Sequence, residues 1–242
     1  MIEFRKITKS FGSRTILNDL DLIIPQGKIV FILGMSGTGK SVLLKNIVGL
    51  LKPDKGELYV DQFPVHKMSE KEMMEVRKMC GMVFQQPALF DFLDVFENVA
   101  YGLRRHFNFS EAEIKQKVLE SLKLVGLTGV ERKQSHKLSY GMKKRVSLAR
   151  TIALRPKILL FDEPTTGLDP ISTNRINKLI LDLSKNLGTT SVVVSHDMES
   201  ALSVADHIIM LDKGKLLTQG STEEMRNSSE PLVQDFLAEV VQ

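Results

Sequence analysis

Residues Gly34-Met35-Ser36-Gly37-Thr38-Gly39-Lys40-Ser41 satisfy G-x-x-x-x-G-K-[ST] at every fixed position. Glycines let backbone N–H groups turn inward around phosphate oxygens. Lys40 supplies a full charge for the β- and γ-phosphates, and the Ser41 hydroxyl is a donor for Mg²⁺. A glycine-rich turn that binds nothing has the same composition, so context decides. The run Ile29–Leu33 before the loop reads as a buried strand, and residues 42–51 after it read as a helix. Strand, glycine-rich loop and helix start together make a nucleotide site, because the helix N-terminus adds partial positive charge.

Two further sets of reactive side chains follow apolar runs. Residues 158–161 end in Asp162 and Glu163, and Val192-Val193-Val194 is followed by Ser195-His196-Asp197. In an open parallel sheet, ligands bind at the carboxyl ends of the strands. Asp162 is therefore expected to hold Mg²⁺ directly or through water, and Glu163 to orient and polarise an attacking water. His196 is expected to reach the γ-phosphate. His66, His106, His136 and His207 lack this placement and read as structural. Ser139, His196 and Asp162 could be drawn as a hydrolase triad, but no nucleophile elbow accompanies them.

Leu138-Ser139-Tyr140-Gly141-Met142 opens a helix with Ser139 as its N-cap. A serine and a close glycine at a helix N-terminus form a second anion-binding device. This chain already has a phosphate loop, so the spare device suggests another chain's nucleotide and a dimer with shared sites.

The elements that must position these residues follow from periodicity. Residues 2–7, 20–24 and 57–60 read as strands of an antiparallel patch. Ser69 and Glu72 form a capping box for a helix over residues 69–79. Residues 93–154 are mostly helical, with a second capping box at Ser110 and Glu113 and a stop at Gly126. Continuous apolar strands at 157–161 and 191–194 flank a helix over 172–187 that Gly188 ends. This alternation predicts a parallel sheet covered on both faces. Residues 208–217 read as a hairpin, and 222–242 as two short helices around Pro231. Met68, Met73, Met74, Met79 and Met82 read as core filler.

Composition narrows the classes. The 242 residues carry 43% hydrophobic residues and a net charge of +4, which fits an α/β domain and gives no basic stripe for nucleic acid. No apolar run reaches the ~18 residues of a membrane span, and the N-terminus lacks a signal-peptide core. The sequence thus predicts a chain that stays in the cytoplasm. The single Cys80 offers no disulfide and no metal spacing, and reads as a packed thiol.

With these motifs in order, the chain resembles the ATP-binding subunit of an ATP-binding-cassette (ABC) transporter over essentially its whole length. The resemblance implies an α/β P-loop NTPase fold with a mostly parallel core sheet, an antiparallel β subdomain and a helical subdomain. The core would take about residues 1–92 and 155–220, the helical subdomain about 93–154, and a C-terminal tail about 221–242. Phe11, in Lys9-Ser10-Phe11-Gly12, matches the aromatic position that stacks on adenine. Gly34, Ser36, Gly37, Thr38, Gly39, Lys40, Ser41 and Val42 would surround the phosphates as the Walker A loop. Gln85 matches the Q-loop residue that reaches Mg²⁺ and senses the membrane partner. Ser139 and Gly141 belong to the signature motif, Asp162 and Glu163 to Walker B, Asp169 to the D-loop, and His196 to the switch position. By resemblance, Glu163, His196 and Lys40 are catalytic, and Ser41, Gln85 and Asp162 face the metal.

The implied partners are a second identical cassette, closed head to tail around two ATP molecules, and integral membrane permease subunits. Two departures stand out. The family's usual signature has glycine where Tyr140 stands and glutamine where Met142 stands. Val42, Met142 and the tail Pro231-Leu232-Val233-Gln234-Asp235-Phe236-Leu237 further resemble the ATPases of mammalian-cell-entry (MCE) lipid transport systems of the Mla type. That adds an MCE-domain protein and a small accessory subunit as partners, with the chain at the cytoplasmic face of the inner membrane. The alternatives are an ATPase of an importer for amino acids or other polar solutes, and a soluble assembly ATPase. A P-loop kinase would lack the element at 138–142. Residues 87–98, dense in aromatics after Gln85, are divided between lobe core and a groove for a permease helix.

Overall fold

The computed structural model describes residues 1–240. The chain starts as an antiparallel hairpin of β1 (Ile2–Phe11) and β2 (Arg14–Ile24). Pro25 and Gly27 turn it into β3 (Ile29–Leu33), whose five residues are all buried. The glycine loop follows and feeds α1 (Lys40–Ile47). Next come β4 (Lys55–Val60), the two-residue β5 (Phe63–Pro64), α2 (Glu70–Met79) and β6 (Cys80–Val83). The capping box is present at α2: the Ser69 side chain accepts from the Glu72 N–H, and Glu72 accepts from the Ser69 N–H.

A helical stretch follows, with α3 (Val95–His106), α4 (Glu111–Leu124), a single 3₁₀ turn at Ser135–Lys137, and α5 (Tyr140–Ile152). The chain returns through β7 (Ile158–Asp162), α6 (Pro170–Leu187), β8 (Thr190–Ser195), α7 (Met198–Val204), and the hairpin of β9 (His207–Asp212) and β10 (Lys215–Gly220). Two short helices close it, α8 (Thr222–Arg226) and α9 (Pro231–Val240).

The sheets are a four-stranded one, ordered β2-β1-β4-β5, and a six-stranded one, ordered β10-β9-β3-β8-β7-β6. In the larger sheet every neighbouring pair is parallel except β9 with β10. Side chains alternate across its faces, as strand geometry requires. Ile29, Phe31, Leu33, Leu159 and Phe161 join the core shared with α3, α4, α5, α6 and α7. Val30, Ile32, Ile158 and Leu160 join a second core with α1, α2 and the small sheet. Both faces are therefore covered, and the carboxyl ends of β3, β6, β7 and β8 open on one edge. Among the described residues no helix is long and apolar enough to cross a membrane.

The structure shifts the bounds of several expected elements. The strand expected from residue 20 begins at Arg14, because Arg14, Thr15 and Leu17 pair with Phe11, Ser10 and Lys9 of β1 through shifted register. The helix expected over 42–51 runs instead from Lys40 to Ile47 and is stopped by Gly49, whose N–H donates to Asn46 O at φ 65°. Strand β6 had no counterpart in the sequence reading. Met68 and Met73 are buried, but Met74 is 38% exposed and does not fill the core. Burial pushes the Cys80 thiol up to about 12, which keeps it protonated and unreactive.

Candidate nucleotide site

The glycine loop is built by close approach. Gly34 has φ 154°, and a Cβ there would lie 2.4 Å from the Leu211 carbonyl oxygen on β9. Gly39 has φ 102°, and a Cβ there would lie 2.6 Å from Leu17 Cδ2. The backbone can thus curl between β9 and β2 only without side chains at these positions. Thr38 Oγ1 donates to the Met35 carbonyl at 2.9 Å and stiffens the curl.

Lys40 begins α1 and is 7% exposed. Its ammonium donates to the carbonyls of Gly34 at 2.6 Å and Met35 at 3.1 Å, and lies 3.9 Å from Glu163 Oε1. Burial pulls the Lys40 pKa below the ordinary value, while Glu163 and then Asp162 oppose that shift. Ser41 Oγ donates to Asp162 Oδ1 at 2.7 Å, joining the loop after β3 to the end of β7. Asp162 itself is buried.

Glu163 leaves β7 with φ 49°, a left-handed conformation disfavoured for a residue with a Cβ by roughly 1–3 kcal/mol. Its N–H donates to the Val194 carbonyl at 3.0 Å, so the ladder with β8 continues through the bend. The bend aims the carboxylate at His196: Glu163 Oε2 is 2.8 Å from His196 Nδ1 and accepts from Thr166 Oγ1 at 2.9 Å.

One cavity of about 700 Å³ gathers much of the expected site. Its walls include Phe11, Ser36, Gly37, Gly39, Lys40, Ser41, Val42, Gln85, Glu163 and His196. Gly34, Thr38 and Asp162 stand behind this wall and do not line it. Phe11 is 48% exposed at the hairpin tip, with the Lys9 ammonium 5.6 Å from its ring centroid.

Ser139, Gly141 and Asp169 are absent from this cavity wall. Ser139 is the N-cap of α5, its Oγ accepting from the Met142 N–H at 3.3 Å. Asp169 is the N-cap of α6, with Oδ1 accepting from the Ser172 N–H at 2.9 Å. Both residues are exposed. Met142 packs against the core of the helical lobe.

Sequence reasoning missed several neighbours of the site. Thr166 orients Glu163, and Arg14, Phe236 and Glu239 add to the cavity wall. Thr166 stands three residues after Glu163, a spacing that could have found it. Phe236 and Glu239 come from α9, which packs on α7, and no local pattern reports that docking.

A phosphate loop, a strand-end carboxylate pair and a strand-end histidine on this sheet define an ATP-binding cassette ATPase. A family model described as ABC transporter matches residues 17–166, and the chain belongs to that family. It is 43% identical to the intermembrane phospholipid transport system ATP-binding protein MlaF of Haemophilus influenzae, covering 98% of this chain and 90% of that protein. It is 42% identical to a probable ribonucleotide transport ATP-binding protein, mkl, of Mycobacterium leprae, covering 98% of this chain and 68% of that protein. Among solved structures, the cassette MJ0796, in a dimeric post-hydrolysis state bound to ADP and Pi, superposes with TM-score 0.84 at 33% identity. That match covers 92% of this chain and 99% of the other. CbiO1 of Clostridium perfringens, part of an ABC transporter complex, superposes with TM-score 0.87 at 32% identity, covering 98% and 94%.

Proposed function

We propose that this chain is the ATP-hydrolysing subunit of a phospholipid transporter and works as a head-to-tail pair of cassettes bound to membrane permease subunits. The observation that carries the hydrolytic reading is the Glu163 carboxylate, held by Thr166 and His196 at the rim of the Lys40 loop. Lys40 binds the β- and γ-phosphates, and the loop N–H groups of Ser36 to Ser41 surround them. Phe11 offers its face to adenine. Glu163 orients the attacking water and accepts its proton, and His196 holds Glu163 and the γ-phosphate in register.

The Ser41–Asp162 pair suits Mg²⁺, which prefers a few hard oxygens and leaves other positions to water and phosphate. Gln85 at the cavity rim is the third candidate. Bound there, Mg²⁺ would neutralise charge on the phosphates.

Ser139, Gly141 and Asp169 act on the partner's nucleotide. The exposure of Ser139 and Asp169, and the absence of all three from their own chain's cavity wall, support this reading. The γ-phosphate is then the anion that draws the second α5 N-terminus in, so ATP favours closure more than ADP does. A permease helix docks beside Gln85, where Phe84 is 38% exposed and Phe92 and Tyr101, 80% and 51% exposed, pack on Phe90. An MCE-domain protein and a small accessory subunit complete the assembly, with this chain at the cytoplasmic face of the inner membrane.

The likeness to MlaF over nearly the whole chain supports phospholipid as cargo. The likeness to mkl supports a second reading, ribonucleotide transport. Reconstitution with the permease in proteoliposomes separates them. ATP-dependent transfer of a fluorescent phospholipid, lost in Glu163→Gln, is expected. Nucleotide uptake without lipid transfer would replace the first reading with the second.

A further inference from the structure

Tyr140 occupies the second position of the 138–142 element, in the first turn of α5. Its hydroxyl donates to the Gln85 carbonyl at 3.3 Å, a contact between residues 55 apart in sequence. On its other side the ring lies against Gly167: a Cβ built there would be 3.7 Å from Tyr140 Cε1. The Lys144 ammonium, one turn along α5, sits 5.2 Å from the ring centroid. Lys144 is 5% exposed, and its Nζ donates to the carbonyls of Pro164 at 2.7 Å and Thr166 at 3.0 Å. Those carbonyls belong to the loop that carries Glu163, and Thr166 Oγ1 bonds Glu163 directly.

The contacts form an unbroken series from Gln85 through the Tyr140 ring and Lys144 to Thr166 and Glu163. A buried ammonium costs free energy unless its donors are used, and here two carbonyls and an aromatic face use them. Removing the ring would open one side of Lys144 to water and free the loop to shift. Glycine at position 140 could make none of these contacts.

We propose that Tyr140 is a positioning residue for hydrolysis: with Lys144 it braces the Pro164–Gly167 loop against the Gln85 backbone and so fixes Glu163. The proposal rests on the ATPase reading above. It concerns the side of Tyr140 that faces its own chain, leaving Ser139 and Gly141 free at the helix tip. Misplacing a general base by a fraction of an ångström slows chemistry without weakening ground-state binding.

Single-turnover hydrolysis of radiolabelled ATP by the full chain tests this, alongside affinity for a fluorescent ATP analogue. Tyr140→Ala keeps helix propensity and deletes the ring. It is expected to lower the hydrolysis rate constant roughly ten-fold while affinity stays within about two-fold. Tyr140→Phe keeps the ring and should recover most of the rate. Lys144→Gln combined with Tyr140→Ala should be no slower than the worse single variant, because both act through one brace. Equal rates for Tyr140→Ala and the parent, fully multiplicative effects in the pair, or a rate loss matched by lost affinity would each overturn the proposal. A parent chain that binds the analogue but never hydrolyses ATP would instead remove the ATPase reading. If Tyr140→Ala does not fold, Tyr140→Leu with the same readouts decides.

Discussion

The carboxylate of Glu163 and the imidazole of His196 meet at 2.8 Å across the ends of two neighbouring parallel strands. Each reaches that point from a residue paired in the ladder, Asp162 with Val194 and Leu33 with Ser195. The sheet therefore sets the spacing between Glu163 and His196.

Glu163→Gln keeps the hydrogen-bonding shape and removes the basic oxygen. Hydrolysis should fall by about 10²–10⁴-fold, the range for loss of a general base. ATP binding should persist, and size-exclusion chromatography should show a dimer that accumulates with ATP. Parental turnover in this variant would exclude Glu163 as the base.

Lys40→Ala removes the phosphate-binding charge, and Ser139→Ala removes an oxygen at the tip of α5. Each alone should abolish or strongly impair turnover. Mixed in equal amounts they should regain activity, since one of the two composite sites in a mixed dimer keeps both groups. Absence of recovery in a dimer verified by mass spectrometry would count against shared sites.

Gly34→Ala tests the loop's construction. Its Cβ would enter the space of the Leu211 carbonyl at 2.4 Å, with Thr38 Oγ1 at 2.8 Å, so β3 and β9 must part. A loss of about 1–3 kcal/mol in a denaturant titration is expected, together with weaker ATP binding. Unchanged stability would mean that the loop relaxes freely.

Lys144 carries a pH signature. Burial pulls its pKa from the ordinary 10.5 to about 8, against a weaker pull upward from Glu163. Above about pH 10.5 both folded and unfolded chains hold the neutral amine. As pH falls from there to about 8, the unfolded chain takes up the proton first, and stability is lost. Below that the difference is flat. The stability of the parent relative to Lys144→Gln should therefore rise with pH across this window, by at most about 1.4 kcal/mol per unit. Denaturation at several pH values reads this directly, and a constant difference would contradict it.

Contiguous chemistry was legible in the sequence. The Gly34–Ser41 loop, Asp162-Glu163 and His196 each follow an apolar strand, and the strand end both marks and places them. Elements defined by pairing were harder to read. Strand β6 is four residues with Gly81 and Cys80 in it, too short to show a period, and exists because Gly81 and Val83 pair with Leu159 and Phe161. The first half of β2 was hidden because Asp19, at φ 50°, interrupts its alternation, as Lys6 at φ 49° does in β1. Tyr140 showed itself only as an odd residue in a motif, since its partners Gln85 and Gly167 are distant in the chain. The placement of α9 against His196 is likewise a tertiary fact without a local cause.

Strand β6 leads straight to Gln85 and is one of the two edges of the large sheet, paired along one side only. Pressure applied at Gln85 would meet a strand with a single hydrogen-bonded neighbour and would pass by Tyr140 and Lys144 to the loop that holds Glu163.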